Sequence, residues 1–264
     1  MPMTRSRMLE GTWYDHPEYY DIAFQAYTER EADFIEAACR KYCPFNARRL
    51  LEPACGTGRL VTALAARGYE VTGFDLSQPA LSYLRRQITR RRLNVTTFEA
   101  EMSYFHLRRR VDAAYCTINT FRHLLTEETA RSHLNCVAET LRPGGIYILG
   151  LHLLPIDIYQ GDTERWTHDL RRRLEIFRVC LLVRRGSKEL RLAHEFRYRT
   201  YTASQFQRLL ASVRSLEIRG VYDFRHDVER PFMSKNEVAY ALFVLRRRLV
   251  GFNHARPSGY NVNT

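Results

Sequence analysis

Lysine is nearly missing from this chain of 264 residues: Lys41, Lys188 and Lys235 stand against 38 arginines. No apolar run approaches the roughly 18 residues that a bilayer-crossing helix needs, so a membrane span is not expected. The amino-terminal Met1-Pro2-Met3-Thr4-Arg5-Ser6-Arg7 is followed by no apolar stretch of leader length, which makes the cytoplasm the expected compartment. Cys39, Cys43, Cys55, Cys116, Cys136 and Cys180 include no pair two residues apart, so neither a zinc knuckle nor a Cys-x-x-Cys redox motif is present and no metal is expected. Repeats and low-complexity segments are absent too. What is abundant is positive charge, +12 formally, in runs such as Arg90-Arg91-Arg92, Arg108-Arg109-Arg110, Arg171-Arg172-Arg173 and Arg246-Arg247-Arg248. The balance permits an anionic partner, nucleic acid included. The runs lie in different segments and form no single tract, so they read first as solvated faces and strand ends.

The length suits one α/β domain, and the pattern along it alternates strand and helix, which implies a parallel sheet covered on both faces. A helix is predicted from Pro17 to about Arg40, with Ile22, Ala23, Ala26, Tyr27, Phe34 and Ala38 as its apolar stripe. Strands are expected from Leu50, at Tyr69 to Asp75, Asn94 to Glu99, Val111 to Thr117 and Ile146 to His152. Helices at Leu60 to Ala66, after Ser77 and after Thr126 separate them. Gly68 sits at a left-handed cap and Pro143-Gly144-Gly145 at a helix stop. The period then changes. Leu190, Leu192, His194, Phe196 and Tyr198 alternate with Arg191, Ala193, Glu195, Arg197 and Arg199, a half-exposed antiparallel strand that pairs with Leu174 to Val183 through a turn at Arg185-Gly186-Ser187-Lys188. Thr202 with Gln205 makes a capping box for one more helix, and strands at Ser215 to Tyr222 and Glu237 to Leu245 close the series. This divides the chain into an N-terminal helical cap (1–47), a core (48–152), a lid segment with closing strands (153–250) and a loose tail (251–264).

Chemistry concentrates in Leu50-Leu51-Glu52-Pro53-Ala54-Cys55-Gly56-Thr57-Gly58-Arg59-Leu60, a strand that breaks into a glycine-containing turn and enters a helix. Such a turn lets a ligand approach the backbone. Asp75 ends the next strand 23 residues after Glu52, where a carboxylate can take both hydroxyls of a ribose. A nicotinamide cofactor would use the same carboxylate, but a dinucleotide fingerprint counted on from Gly56 and Gly58 needs a third glycine where Val61 stands.

Gly73-Phe74-Asp75-Leu76-Ser77, Ala100-Glu101-Met102, Val111-Asp112-Ala113-Ala114-Tyr115-Cys116 and Leu141-Arg142-Pro143-Gly144-Gly145 then follow in order. With the Cys55-Gly56-Thr57-Gly58 turn, this series resembles the class I methyltransferases that use S-adenosylmethionine (SAM), in particular bacterial small-molecule N- and O-methyltransferases. The resemblance covers about residues 50 to 152. It implies a Rossmann-like, doubly wound, mostly parallel seven-stranded sheet with an antiparallel insertion after the fifth strand. It also implies SAM as cofactor, S-adenosylhomocysteine as product and a small-molecule acceptor, amine or hydroxyl. Glu52, Ala54, Gly56 and Gly58 would surround the methionine part, Asp75 would hold the ribose, Glu101 with the Met102 backbone would read adenine, Thr117 would lie near the sulfonium, and Leu76 would also contact the cofactor. Ala54 stands where glycine is usual, and Glu101 where an aspartate normally follows a glycine. Tyr20-Asp21 resembles a Tyr-Asp pair on the helix that folds over the cofactor, and Trp13, Tyr14, Tyr19 and Phe24 surround it.

Methyl transfer from a sulfonium needs alignment, exclusion of water and, for some acceptors, removal of a proton. His123, in Asn119-Thr120-Phe121-Arg122-His123 beyond the fourth strand, is the candidate proton acceptor or orienting group. Packing beside the cofactor is the bland alternative. The row Arg191, Arg197 and Arg199 is the candidate for an anionic acceptor. Two rivals remain: a nucleic-acid methyltransferase, which Asn119-Thr120-Phe121 does not favour because base amino methylation goes with Asn/Asp-Pro-Pro-aromatic, and a non-catalytic SAM-binding protein. The sequence does not give the oligomeric state.

Overall fold

A computed structural model describes residues 5–8, 13–154, 167–169, 171–185, 188–232 and 240–249. In chain order these hold β1 (Arg5–Met8), α1 (Pro17–Phe24), α2 (Thr28–Tyr42), β2 (Arg49–Pro53), α3 (Arg59–Ala66), β3 (Glu70–Asp75), α4 (Gln78–Arg91), β4 (Val95–Glu99), β5 (Val111–Cys116), α5 (Glu127–Thr140) and β6 (Leu141–His152). Then come β7 (Thr167–Asp169), β8 (Leu174–Arg185), β9 (Lys188–Arg199), α6 (Ala203–Ala211), β10 (Leu216–Tyr222) and β11 (Tyr240–Arg247).

The main sheet has seven strands in the order β10-β11-β6-β5-β2-β3-β4. β2 pairs in parallel with β3 and β5, as do β3 with β4 and β5 with β6, and β11 alone is reversed, antiparallel to both β6 and β10. This is the expected Rossmann-like architecture. The central strands are apolar on both sides, and β5 is buried at all six positions, because helices cover both faces. Alternate residues divide between the two cores. Leu51, Phe74, Ala114, Tyr147 and Leu149 meet α5 and α6, while Leu50, Val71, Ala113, Tyr115 and Ile148 meet α2, α3 and α4. The chain leaves β2 toward one edge and returns through β5 toward the other, which opens a crevice at the carboxyl ends of these two strands.

Local chemistry sets the ends of the elements. Gly68, at φ 94°, closes α3: its N–H and that of Tyr69 reach the carbonyls of Ala65 and Leu64 at 3.1 and 3.3 Å, bonds an L side chain at that φ would strain. Ser77 caps α4, and Thr126 and Thr202 sit in capping boxes at α5 and α6.

The antiparallel insertion is a second sheet, β1-β9-β8-β7. β8 and β9 pair over their whole length, from Leu174 with Arg199 to Arg185 with Lys188. β1 joins β9 in parallel, a strand that the sequence did not announce.

Three expectations need correction. The helix from Pro17 is not continuous: a 3-10 turn at Gln25–Tyr27 separates α1 from α2. Three residues at 3.0 instead of 3.6 per turn shift the side-chain direction by about 60°. The proposed stripe therefore splits, leaving Ile22 69% and Tyr27 53% exposed while Phe34, Ile35 and Ala38 are buried. Pro143-Gly144-Gly145 is not the helix stop either. α5 ends at Thr140, and β6 already starts at Leu141, so the run lies at a register shift between the Leu141–Val111 and Ile146–Ala113 pairs. The third concerns the arginine row and is taken up with the site. The proposed tail at 251–264 and residues 155–166 of the lid segment lie outside the described residues.

Candidate active site

The crevice holds a pocket lined by Glu52, Ala54, Thr57, Arg59, Cys116 and Thr117, with Pro53, Cys55, Ile118 and Thr120 completing its wall. The turn that frames it is held by backbone bonds, Cys55 N–H to Phe74 O at 2.8 Å and Gly58 N–H to Cys55 O at 2.9 Å. Ala54, Gly56 and Gly58 have φ of 49°, 53° and 73°. At Gly58 a Cβ would also lie 2.3 Å from Leu84 Cδ1, so only glycine fits. Ala54 is not the innocent replacement that its single methyl suggests, since the left-handed region costs an L residue roughly 1–2 kcal/mol.

Asp75 is locked to this turn. Its Oδ2 accepts the Gly56 N–H at 2.7 Å and its Oδ1 the Ser77 N–H at 2.8 Å, leaving a lone pair on each oxygen. Burial raises its pKa and the amide bonds of Ser77, Gly56 and Leu76 oppose that. Beside it Leu76 is 61% exposed, an apolar side chain at the crevice edge.

Glu52 lies deeper. Its Oε2 is buried and has no hydrogen-bond partner among the described residues, nor has the neighbouring Tyr115 hydroxyl. Burial pushes its carboxyl up to about 8, against the pull of Arg59 and with the push of Glu31. Glu31, wholly buried on α2, takes Arg59 Nη2 on both carboxylate oxygens at 2.7 and 2.9 Å and also accepts from the Thr117 hydroxyl. α2 thus fixes two residues of the pocket wall. Asp21 on α1 accepts from Thr57 at 3.1 Å and from Tyr83 at 3.3 Å, which draws α1 against the turn.

The two members of the expected adenine pair differ in exposure. Glu101 is exposed and accepts from Ser103. Met102 is buried in the core, and its carbonyl accepts His133 Nδ1–H at 2.9 Å, leaving His133 Nε2 to accept from the Tyr147 hydroxyl at 2.8 Å. The side chain of Tyr20 lies outside the described residues.

Beyond β5, Asn119 adopts φ 51° and uses its Oδ1 to accept the His152 N–H at 2.9 Å, pinning the 3-10 turn Thr120–His123 to β6. His123 emerges from that turn with Nε2 3.2 Å from the Tyr14 hydroxyl. Phe196 and Tyr198 of β9 flank the imidazole at ring distances of 5.3 and 4.8 Å, and His194 lies 5.9 Å from the Tyr14 ring. Burial first, then Arg122 and His194, push His123 down to about 4, and burial lowers His194 and takes His152 to about 4. His123 and His152 are therefore neutral at pH 7, and burial shifts His194 in the same direction.

The insertion therefore covers the site with the aromatic face of β9, and the arginine row does not line it. Arg191 and Arg197 are exposed on the opposite face, Arg191 paired with Glu189 at 2.8 Å. Arg199 is buried where the strand ends, its Nη1 donating to Leu125 O at 2.7 Å. Tyr14, Arg59, Glu31 and Asp21 were not among the expected site residues. Arg59 lies inside the turn motif, Asp21 in the Tyr20-Asp21 pair and Tyr14 in the aromatic cluster, so of the four Glu31 alone belonged to no sequence motif.

Residues 50–145 match the family described as a methyltransferase domain. The dTDP-3-amino-3,6-dideoxy-alpha-D-glucopyranose N,N-dimethyltransferase of Streptomyces fradiae is 30% identical over 135 residues, 50% of this chain and 51% of the relative. The dTDP-3-amino-3,4,6-trideoxy-alpha-D-glucopyranose N,N-dimethyltransferase of Streptomyces venezuelae is 27% identical over 138 residues, 51% of this chain and 56% of that one. The chain thus spans about half the length of these curated relatives. A crystal structure of an S-adenosylmethionine-dependent methyltransferase from Clostridium acetobutylicum ATCC 824 superposes with a TM-score of 0.74 at 18% identity, covering 89% of this chain and 99% of that one. Turn, carboxylates and strand order agree with these similarities: residues 50–145 form a methyltransferase domain, in a chain with the fold of SAM-dependent methyltransferases.

Proposed function

We propose that the protein methylates the amino nitrogen of a small molecule. The observation that carries this reading is the hydrogen-bonded Tyr14–His123 pair, neutral and walled by Phe196 and Tyr198 beside the Glu52–Thr117 pocket. When bound, SAM supplies an electrophilic methyl group on a sulfonium. The residues suit it: the unpartnered Glu52 Oε2 calls for a cation, which the α-ammonium provides, and Arg59 is the matching cation for the α-carboxylate. In this reading Asp75 takes the ribose hydroxyls, Ala54, Gly56 and Gly58 let the methionine part approach the backbone, and Leu76 covers the nucleoside. Thr117 borders the sulfonium side, and Tyr20, Glu101 and Met102 remain the expected lid and adenine contacts.

Toward the acceptor, the chain's own groups orient and desolvate. An amine entering this aromatic pocket loses its proton more readily than in water, because burial and the nearby Arg122 guanidinium both disfavour the ammonium. Tyr14 and His123 then offer hydrogen-bond partners that fix the direction of the nitrogen lone pair. At about 4, His123 is a weak proton store at pH 7, so it serves as an orienting group more than as the base a hydroxyl acceptor would require. Phe196 presents a face that favours the positive charge left on the methylated nitrogen, while the Tyr198 ring already stacks with the Arg122 guanidinium at 4.6 Å. The names of the two Streptomyces relatives, both N,N-dimethyltransferases of amino sugars, support an amine. Arginines absorbed in ion pairs, such as Arg67 with Glu29, Asp33 and Glu36, or Arg246 with Glu217, favour a small molecule over nucleic acid.

The test is a panel of primary amines, and of alcohols with the same skeletons, incubated with SAM and followed by mass spectrometry. Methylated amine and equimolar S-adenosylhomocysteine are the expected products. Turnover of the alcohols in preference to the amines would overturn the assignment.

A further inference from the structure

A buried ion pair stands directly beside His123. Arg122 precedes it in the 3-10 turn Thr120–His123 and is itself buried. Its guanidinium grips the antiparallel sheet that covers the site: Nη2 donates to Glu175 of β8, Nε donates to Arg199 O at 3.0 Å, and Cζ lies 4.6 Å from the centre of the Tyr198 ring. Glu175 and Tyr198 are directly opposite in the β8–β9 register and so share one face. One side chain thus holds both strands at the level where Tyr198 meets the His123 ring at 4.8 Å. On the other side the same turn is tied to β6, because Asn119 donates its N–H to Gly150 O at 3.1 Å and accepts the His152 N–H at 2.9 Å.

We propose that Arg122 is a positioning residue for methyl transfer: by holding Glu175, Arg199 O and Tyr198 it sets β9 against the His123 turn and so aims the Tyr14–His123 pair at the acceptor nitrogen. The proposal deepens the amine-methylation reading and rests on it. A buried ion pair is a poor choice if stability is the only demand, since two apolar side chains of similar volume hold such a space as well or better. What the guanidinium adds is direction, because its planar fork fixes angles as well as distances. The sheet also has other moorings, Arg173 Nη1 to Glu127 at 3.3 Å, Arg199 Nη1 to Leu125 O at 2.7 Å and Leu154 N–H to Tyr201 O at 2.8 Å. These attach it to the core without bearing on the imidazole, so losing the Arg122 contacts misaligns the sheet and does not detach it. After burial, the guanidinium also lowers the His123 pKa, which keeps that ring an uncharged hydrogen-bonding partner. A misplacement of about 1 Å at a reacting centre can cost on the order of 100-fold in rate.

The test compares the full chain with two variants, Arg122→Lys and the double substitution Arg122→Met with Glu175→Met. The double variant leaves no unpaired buried charge and should melt within about 5 °C of the wild type. Its kcat for the most active amine of the panel should nevertheless fall by about 10–100-fold, with the Kd for S-adenosylhomocysteine unchanged. Arg122→Lys keeps the charge but not the fork, so it should stay folded and lose at least about fivefold in kcat. A second readout needs no acceptor: nuclear Overhauser contacts between the His123 ring and the rings of Phe196 and Tyr198 should be present in the wild type and weakened or absent in the double variant. Wild-type kcat in both variants, or a loss that merely follows the folded fraction in melts, would overturn the proposal. So would Overhauser contacts unchanged in the double variant. If no amine of the panel is methylated, the amine reading fails by itself, and the Overhauser contacts alone decide whether Arg122 sets β9 on the His123 turn.

Discussion

Binding of SAM should release a proton from Glu52, and the pH dependence of affinity follows from where that carboxyl sits. In the free protein its Oε2 is buried without a partner, and burial holds the group near 8, with Arg59 favouring and Glu31 opposing ionisation. At pH 7 roughly nine-tenths of the molecules carry a neutral Glu52, whereas an ammonium in the pocket requires the carboxylate. Ionising it first costs about 1.4 kcal/mol at pH 7 and about 2.7 kcal/mol at pH 6, one factor of ten per unit. The dissociation constant should therefore fall about tenfold from pH 6 to pH 7, then by a smaller factor to pH 8, and flatten above that. Calorimetry at pH 7 in two buffers of different ionisation enthalpy should count close to one proton released. Glu52→Gln should bind more weakly at pH 8 and lose the slope, while the ammonium of the ligand titrates identically in both proteins. The folding linkage has the opposite sense. A carboxyl raised from 4.5 to about 8 stabilises the free fold fully below the unfolded value, and that contribution is lost as pH rises through the folded value, so the ligand-free protein weakens toward pH 8 and Glu52→Gln does not share this decline. An affinity that does not change between pH 6 and pH 8, or an equal slope in Glu52→Gln, would refute the reasoning.

Three further outcomes can be checked. His123→Ala and Tyr14→Phe should each lower kcat by roughly 10–100-fold, the scale of a lost orienting hydrogen bond, with SAM affinity unchanged. The wild-type profile should show no step near pH 6.5, and a step there would restore His123 as a proton acceptor with an ordinary imidazole pKa. Glu31→Gln leaves Arg59 without its buried counter-charge and should cost about 3–5 kcal/mol in denaturant unfolding, as well as weakening SAM binding; a stability within 1 kcal/mol of wild type would show that Arg59 finds another partner. Ala54→Gly should raise stability by up to about 1 kcal/mol by relieving the left-handed backbone, whereas Gly58→Ala should lose the folded turn, and thermal melts of the two variants separate these cases.

What the sequence disclosed and what it concealed divide along one physical line. The cofactor turn was legible because its parts are local. Gly56, Gly58 and the closing Asp75 lie within one βαβ unit, and the backbone there permits few alternatives. Strand pairing was legible because a period of two marks a face without any knowledge of what that face meets. The same property produced the error with the arginines. Alternation correctly grouped Arg191 with Arg197 opposite Phe196 and Tyr198, but periodicity does not say which face covers the crevice, and the aromatic one does. Arg199 escaped even the grouping, because β9 ends there and the side chain turns to the start of α5. The Tyr14–His123 pair spans 109 residues and depends on three separate placements: α1 drawn in by Asp21, the His123 turn pinned by Asn119, and β9 laid over both. Each is a tertiary contact between residues of ordinary local propensity, so no window of sequence contains the dyad. Glu31 shows the same limit most sharply. On its helix it is one of several acidic residues, with Glu29, Asp33 and Glu36, and those three meet Arg67 outside, while Glu31 faces in and meets Arg59 beneath the pocket. Helical spacing puts Glu31 on the same stripe as Phe34, Ile35 and Ala38, and a carboxylate on a buried stripe is costly unless a cation is waiting there. That cost is the signal that could have found it. An acidic residue at a core position is a demand for a buried partner, and the arginine inside the glycine turn meets it.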